Sequence, residues 1–379
     1  MASRARLGLG VLVLSIAPLA VLDCFNSSAG NPGPDASFDS TGFVDGFGSE
    51  AGDDAVAEGS ASEAATDTGS PPVDSGVPEA QVADAEAGPP VLEVIGQNLY
   101  APIAMAVDSQ FIYFLESALP PDAGTNYTGG IRRCPLAGCG SGGPTVVVPG
   151  AVIPGGMALS GTSLFWSDSF QYILTCDVST VPCTGTQFVD ILDTQGDAGD
   201  PTFPTQLWVN GTHLYWFVEL NNDSDRAILT CPVTGCAATA GYPKTVLYAG
   251  PGTTLYQANT SGLAIDGSFA YVSLFSGGPI LRYAMTSAET ADITTETQLG
   301  GATATPGAAH DLDLDGTWLR WADSNGTTVS GCQTPGCNPI VDIATGRVMP
   351  YATRHDASYV YGVDQGPGMG TGVLWRLHK

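Results

Sequence analysis

A pattern of alternating apolar and polar residues recurs six times between residues 105 and 364. Each copy has two apolar runs around a turn rich in Asp, Asn, Ser and Gly, which is typical of a β-hairpin whose tight turn tolerates positive φ. The copies are MAVDSQFIYFLE, MALSGTSLFWSD, LWVNGTHLYWFV, LAIDGSFAYVSL, LDLDGTWLRWAD and TRHDASYVYGVD, beginning at positions 105, 157, 207, 263, 312 and 353.

Further strands follow most of these hairpins. A third apolar run ends in IRRC, ILTC, ILTC, ILRY or VSGC, and in four repeats a fourth run follows, as TVVV, QFVDIL, KTVLYA or PIVDI. Four strands in each repeat of 41 to 56 residues are typical of propeller blades. The last copy stops after its third strand, GVLWRLHK, and PVLEVIGQ at 90–97 supplies the missing fourth. We therefore expect an all-β, six-bladed β-propeller over residues 91–379, with the N-terminal strand closing the last blade and removing an open edge.

The second strands carry a family resemblance. The segments FWSD (165–168), YWFV (215–218) and RWAD (320–323) resemble the YWTD repeats of six-bladed propellers in the low-density-lipoprotein receptor group, whereas YVSL and YGVD depart from that consensus. The whole arrangement is similar to YWTD/NHL-like propellers in exported lipoproteins of soil bacteria. The resemblance covers about three quarters of the chain and implies the fold, but a propeller fold does not dictate a function.

The N-terminus has the features of an export signal. Arg4 and Arg6 precede an uncharged apolar run at 7–22, which is too short for a typical membrane-spanning helix. The following Val-Leu-Asp-Cys resembles the bacterial lipoprotein signal, in which the cysteine, here Cys24, becomes acylated. Asp23 departs from that signal, and ordinary cleavage further along, which would remove Cys24, is the alternative. We expect residues 1–24 to be the export signal.

Residues 25–90 form a low-complexity segment. It contains 13 acidic residues and no Lys or Arg, and no apolar periodicity. Such a composition buries too little apolar surface to offset the entropy of ordering, so the sequence predicts a disordered acidic linker. The net charge of −26 also argues against nucleic acid and anionic membrane surfaces as electrostatic partners.

Eight of the nine cysteines occur as close pairs between a third and a fourth strand. The opposing positions of such a hairpin are close enough for a disulfide, and an exported chain meets an oxidising compartment. Zinc is the alternative, but zinc sites favour closer spacing, often with His, and no His lies beside these pairs. We predict the disulfides Cys134–Cys139, Cys176–Cys183, Cys231–Cys236 and Cys332–Cys337, which leave Cys24 unpaired.

The first strands of the blades should line a central channel, where propellers commonly bind ligands. The most polar residues near the start of these strands are His310, Asp311, Tyr351 and Arg354, which we take as the candidate ligand face. The alternative is that these four are ordinary residues of the channel mouth that bind no ligand. The segment DLDLDG also resembles the start of a calcium loop, but its twelfth position is Ala322 instead of Glu, and Asp315-Gly316 is accounted for as a hairpin turn.

The chain shows no catalytic motif that we recognise. The recurring residues Trp166, Trp216 and Trp321 fit either a glycan-binding face or packing between blades. The sequence favours an exported, lipid-anchored propeller at the cell envelope, with a monomeric ectodomain that binds a protein, peptide or glycan without catalysis. No cofactor or metal is predicted. The alternative is a lyase or hydrolase with a metal at the channel mouth near His310.

Overall fold

The computed structural model describes most of the region from residue 91 to the C-terminus. The described ranges are 91–117, 129–150, 155–168, 172–190, 204–220, 225–237, 240–256, 258–274, 277–299, 309–368 and 370–379. The predicted export signal, Cys24 and the acidic linker lie outside the described residues. Within these ranges, no helix has the length and apolar character needed to cross a bilayer.

The described residues form six four-stranded antiparallel sheets, which are the six predicted blades. Blade 1 contains β2 (Pro102–Val107), β3 (Phe111–Glu116), β4 (Gly130–Pro135) and β5 (Thr145–Pro149). Blade 2 contains β6 (Met157–Ser160), β7 (Ser163–Asp168), β8 (Tyr172–Asp177) and β9 (Thr186–Asp190). Blade 3 contains β10 (Thr205–Asn210), β11 (His213–Leu220), β12 (Asp225–Pro232) and β13 (Lys244–Ala249).

The remaining three blades repeat this order from the channel outward. Blade 4 contains β14 (Thr260–Ile265), β15 (Phe269–Leu274), β16 (Ile280–Ser287) and β17 (Thr290–Gln298). Blade 5 contains β18 (Ala309–Asp315), β19 (Trp318–Asp323), β20 (Val329–Gln333) and β21 (Ile340–Ala344). Blade 6 contains β22 (Pro350–His355), β23 (Tyr359–Asp364), β24 (Gly372–His378) and β1 (Leu92–Leu99).

The ring closes as the sequence predicts. Strand β1 pairs antiparallel with β24, from Leu92 opposite Leu377 to Leu99 opposite Gly372. The first strand of the propeller is thereby the outermost strand of its last blade. The six-bladed all-β fold is confirmed.

The outer strand of blade 4 had no counterpart among the fourth strands predicted from the sequence. Its sequence, TADITTETQ, is mostly polar, so it lacks the apolar run by which the other outer strands were recognised. It nevertheless pairs with β16 through a short turn in which Ser287 faces Thr290. Its Thr and Ile residues have high strand propensity, and this composition is the sequence signal that could have predicted the strand.

The hydrophobic core lies between the blades. Each of six clusters of buried residues joins two neighbouring blades, including blade 6 with blade 1. Trp166, Trp216 and Trp321 are at most 1% exposed, so they serve packing and not an exposed glycan-binding face. Blade 6 has Gly362 at the equivalent position, where a Cβ would lie 2.0 Å from the ring of Trp375 on the neighbouring strand. Trp375 therefore fills the space that the tryptophan of the second strand fills in blades 2, 3 and 5.

The hairpin turns between first and second strands fall into two classes. In blades 2, 3 and 5 the first turn residue is a glycine with φ near 58°, as expected for a two-residue turn. In blades 1, 4 and 6 an aspartate side chain closes a longer turn instead: Asp108, Asp266 and Asp356 each accept backbone N–H groups two and three residues ahead. Positive φ, which the turn residues of the repeats tolerate, is therefore found in three of the six turns.

Because neighbouring strands alternate in direction, the connections lie on two faces of the ring. One face carries the turns between first and second strands and the connections between third and fourth strands, which hold all the predicted cysteine pairs; we call it the disulfide face. The other holds the strand ends that lead from second to third strands and from one blade to the next, together with the first residues of the inner strands. We call it the channel-mouth face.

Candidate functional site

Irregular backbone marks the start of the inner strands. One residue is left unpaired near the beginning of β2, β14, β18 and β22, namely Ile103, Ser261, Asp311 and Tyr351. Such bulges bend the strand and redirect its side chains. Asp311 also has a φ of 46°, which is uncommon for a residue other than glycine. Two residues of the predicted ligand face thus occupy bulges.

The structure brings the four predicted residues together between blades 5 and 6. The rings of His310 and Tyr351 lie 4.2 Å apart, centroid to centroid. The Arg354 guanidinium donates two hydrogen bonds to the Asp311 carboxylate, at 2.7 and 2.9 Å. This bidentate geometry is the strongest form of a charged pair, and it occupies both carboxylate oxygens.

Burial dominates the electrostatics of this group. Desolvation lowers the pKa of His310 to about 4, because the charged imidazolium is disfavoured away from water. Burial also raises the pKa of Asp311 to about 6, although the charge of Arg354 opposes that shift. The pKa of Tyr351 rises to about 12 for the same reason. At neutral pH the group therefore contains a neutral histidine packed against a neutral tyrosine, with the two rings tilted by 36°, beside a carboxylate paired with arginine.

A second charged group, centred on Asp313 and His355, lies further along the channel toward the disulfide face. His355 Nδ1 lies 2.8 Å from the Asp313 carboxylate, and its Nε2 lies 3.4 Å from Asp315. Arg320 bridges the same two carboxylates at 3.3 and 3.0 Å, and the Lys379 ammonium also binds Asp315. The predicted ring places β18 and β22 side by side at the channel, but the sequence does not show that Asp313 pairs with His355.

These charges border a small cleft of about 220 Å³ in the channel, toward the disulfide face. Blades 1, 2 and 3 supply an apolar wall that includes Met157 and Leu207, and Asp313, Arg354 and His355 form the opposite wall. Trp208 lies between the two, with its Nε1 donating to the carbonyl of Ile265 at 2.8 Å. The cleft thus has an apolar side and a charged side whose ionic groups already bind one another.

The described residues do not place three or more His, Cys, Asp or Glu side chains where they could hold a metal ion together. In the calcium-like segment, the carboxylates of Asp311, Asp313 and Asp315 bind Arg354, His355, Arg320 and Lys379 as described above, and Gly316 forms the hairpin turn between β18 and β19. Internal ion pairs thus account for the three carboxylates, and the hairpin turn accounts for Gly316.

All four predicted cysteine pairs are bonded, with Cα–Cα distances of 4.6, 6.1, 5.2 and 4.8 Å in chain order. Each disulfide closes the connection between a third and a fourth strand. Blade 4 lacks such a pair, and Tyr283, at the position of the first cysteine, is fully buried.

Comparisons with known proteins show the fold alone. No family model matches the chain, and no curated protein matches it. Among solved structures, it is similar to a Thermus thermophilus protein described as an oxidoreductase (glucose dehydrogenase), at TM-score 0.51 and 12% identity over 76% of this chain and 100% of that one. A PQQ-bound aldose sugar dehydrogenase from Streptomyces coelicolor matches at TM-score 0.50 and 12% identity, over 76% and 98% of the two chains. The calcium-binding protein regucalcin from Agrobacterium tumefaciens matches at TM-score 0.50 and 13% identity, over 75% and 92%.

Proposed function

We propose that this chain is an exported propeller, lipid-anchored through Cys24, that binds a protein, peptide or glycan at the cell envelope without catalysing a reaction. The carrying observation is that the charged side chains of the channel bind each other. Asp311 pairs with Arg354, and Asp313 with His355 and Arg320. A general acid or base needs a group that can exchange a proton with substrate. Here both oxygens of Asp311 already accept from Arg354, and both ring nitrogens of His355 lie beside carboxylates, which favours a structural role for these groups.

The distribution of basic residues narrows the chemistry of the partner. Apart from Arg4 and Arg6, every Lys and Arg of the chain lies in the propeller, and each has an acceptor within it. These residues are Arg132, Arg133, Arg226, Lys244, Arg282, Arg320, Arg347, Arg354, Arg376 and Lys379. With a net charge of −26, the chain is suited to a neutral or basic partner and not to an acidic one.

The channel-mouth face is the surface on which we place this binding. Connections that function in recognition are commonly mounted on a rigid scaffold, and here the disulfide face supplies the rigidity. Val348 and Met349, next to Tyr351, are 46% and 44% exposed on the channel-mouth face. Export through an oxidising compartment is supported by the four disulfides.

The first experiment separates this proposal from a metal-dependent lyase or hydrolase centred on His310. The purified full chain is analysed for bound metals, and its thermal unfolding is measured with Ca²⁺, Mg²⁺, Mn²⁺ and Zn²⁺. We expect no stoichiometric ion and no rise in Tm. A stoichiometric ion that is lost in His310→Ala but kept in His378→Ala would favour the enzyme.

The binding surface has its own test. The full chain is applied to peptide and glycan arrays, and the best ligand is titrated against two variants. We expect Met349→Ser, on the channel-mouth face, to weaken binding at least tenfold. Tyr248→Ser, at an exposed position on the outer strand β13, should leave affinity unchanged. Equal effects of the two variants would contradict the proposed surface.

A further inference from the structure

Arginines of the third strands reach into disulfide-closed loops of the next blade. Arg133 donates to the carbonyl of Val178 at 3.2 Å, and Arg282 donates to the carbonyl of Pro335 at 2.6 Å. Val178 lies between Cys176 and Cys183, and Pro335 lies between Cys332 and Cys337. The disulfide-closed loops on this face thus accept hydrogen bonds from arginines of the preceding blade.

The same contact occurs where the ring closes. Arg376 of β24 donates to the carbonyl of Leu136, between Cys134 and Cys139, at 2.9 Å. It also binds the Glu93 carboxylate of β1 at 2.6 and 2.8 Å. One side chain therefore ties the last strand to the first strand and both to the disulfide loop of blade 1.

The loop 134–139 also contacts β1 directly. The backbone N–H of Cys139 donates to the carbonyl of Ile95 at 2.9 Å. A Cβ on Gly96 would lie 2.8 Å from Cys139 Sγ, so the sulfur packs against a glycine that leaves room for it. Strand β1 is held by its pairing with β24 on one side and by this loop on the other.

This disulfide is open to solvent on one side. A cleft of about 580 Å³ runs between β1 and the glycine-rich segment 137–144, and Cys139 lines it. Cys134 is fully buried, so a reagent would reach the bond at Cys139. Cys183 and Cys236 are also partly exposed, whereas Cys332 and Cys337 are both at most 1% exposed. Among these, the Cys134–Cys139 disulfide is the one whose loop contacts β1.

We propose that the Cys134–Cys139 disulfide is a redox-accessible latch that holds β1 in the ring. A dithiol reductant, such as the active site of an exported thiol–disulfide oxidoreductase, would attack Cys139 Sγ as a thiolate, and Cys134 would leave as a thiolate and take up a proton. The second thiol of the reductant then attacks the mixed disulfide, which frees Cys139 and leaves the reductant oxidised. Once reduced, the loop 134–139 loses its hydrogen bonds to Ile95 and Arg376. Strand β1 then separates from β24 while the other blades stay folded.

Hydrogen exchange on the full chain tests the latch. The folded chain is treated with dithiothreitol, and alkylation with mass spectrometry identifies the reduced cysteines. We expect Cys134 and Cys139 to be alkylated before Cys332 and Cys337. Exchange of the β1 amides (92–99) should then accelerate at least tenfold, while β13 (244–249) is unchanged. Reduction of Cys332–Cys337 first, unchanged β1 exchange after reduction, or global unfolding would each overturn the proposal.

Variants separate the latch from a general effect of losing a disulfide. Cys134→Ser/Cys139→Ser should accelerate β1 exchange without reductant. Cys231→Ser/Cys236→Ser removes the disulfide that closes a loop of the same length in blade 3. It should leave the β1 amides protected from exchange. Should the first double variant fail to fold, Gly96→Ala replaces it, because it displaces the loop while keeping both cysteines. Equal acceleration in the blade 3 variant, or full protection of β1 in Gly96→Ala, would overturn the proposal.

Discussion

The two faces of the propeller are stabilised in different ways. On the disulfide face, the recurring devices lie near solvent: aspartate-closed turns, glycine turns, disulfides and an arginine such as Arg282 that reaches the next blade. On the channel-mouth face, the distinctive contact is the ion pair between the buried Asp311 carboxylate and Arg354. Interactions near solvent contribute modest energies and tolerate change one at a time, whereas a buried ion pair depends on both partners. The predictions below test this difference, from the largest effect to the smallest.

The buried pair should be the most sensitive point. Arg354→Gln leaves the Asp311 carboxylate buried without its counter-charge, and we expect a loss of roughly 3–5 kcal/mol in the free energy of unfolding. Denaturant unfolding measures it. The matched variant Arg282→Gln, on the disulfide face, removes an arginine lying 4.5 Å over the Phe269 ring and should cost about 1–2 kcal/mol.

The double variant Asp311→Asn/Arg354→Gln should recover part of the loss, because it no longer buries an uncompensated charge. Equal losses for Arg354→Gln and Arg282→Gln would show that the two faces do not differ in this way.

The pH dependence of stability should come in part from His310. Its pKa is lowered to about 4 in the folded chain, so the neutral ring stabilises the fold above about pH 6.5, and this contribution is lost as the pH falls toward 4. Relative to His310→Gln, the wild type should lose on the order of 2–3 kcal/mol between these pH values. The raised pKa of Asp311 acts in the opposite direction, but it is present in both proteins and cancels in the difference.

Unfolding free energies of both proteins measured from pH 7 to pH 4 provide the check. Parallel curves would mean that His310 is not buried as a neutral group.

A single turn on the disulfide face should matter least. Asp266 accepts the N–H groups of Ser268 and Phe269, both at 2.6 Å. Asp266→Ala should cost about 1 kcal/mol, the net contribution of such hydrogen bonds near solvent. Thermal and denaturant unfolding measure it. Asp266→Asn keeps an acceptor oxygen and should cost clearly less, and a loss as large as that of Arg354→Gln would refute the ranking of the two faces.

Much of the fold could be predicted because its signals are local. The hairpins, the strand that closes blade 6 and the cysteine pairs follow from residues a few positions apart, or from a count of strands. The outer strand β17 cannot be recognised from an apolar run because its residues are mostly polar. The Asp266-Gly267 turn matches Asp315-Gly316 in sequence, but it is closed by the Asp266 side chain and lacks the positive φ of Gly316. In both cases the hairpin pairing was determined by neighbouring strands and side-chain hydrogen bonds instead of by the usual sequence signal.

The candidate site was predicted only in part. His310, Asp311, Tyr351 and Arg354 were grouped by their positions in the repeats, and they do lie together. Their pairing, and the second group formed by Asp313 and His355, could not be read from the sequence.

The sequence by itself determined the number of blades, the order of the strands and the four disulfides, because these depend on spacing and on short loops. Tertiary structure decided which charges meet in the channel, which tryptophan fills blade 6 and which loop holds the closing strand. These contacts join residues such as Asp311 and Arg354, 43 positions apart, or Glu93 and Arg376, 283 apart. The packing angle and register between blades set such distances, and neither is fixed by the repeat pattern along the chain.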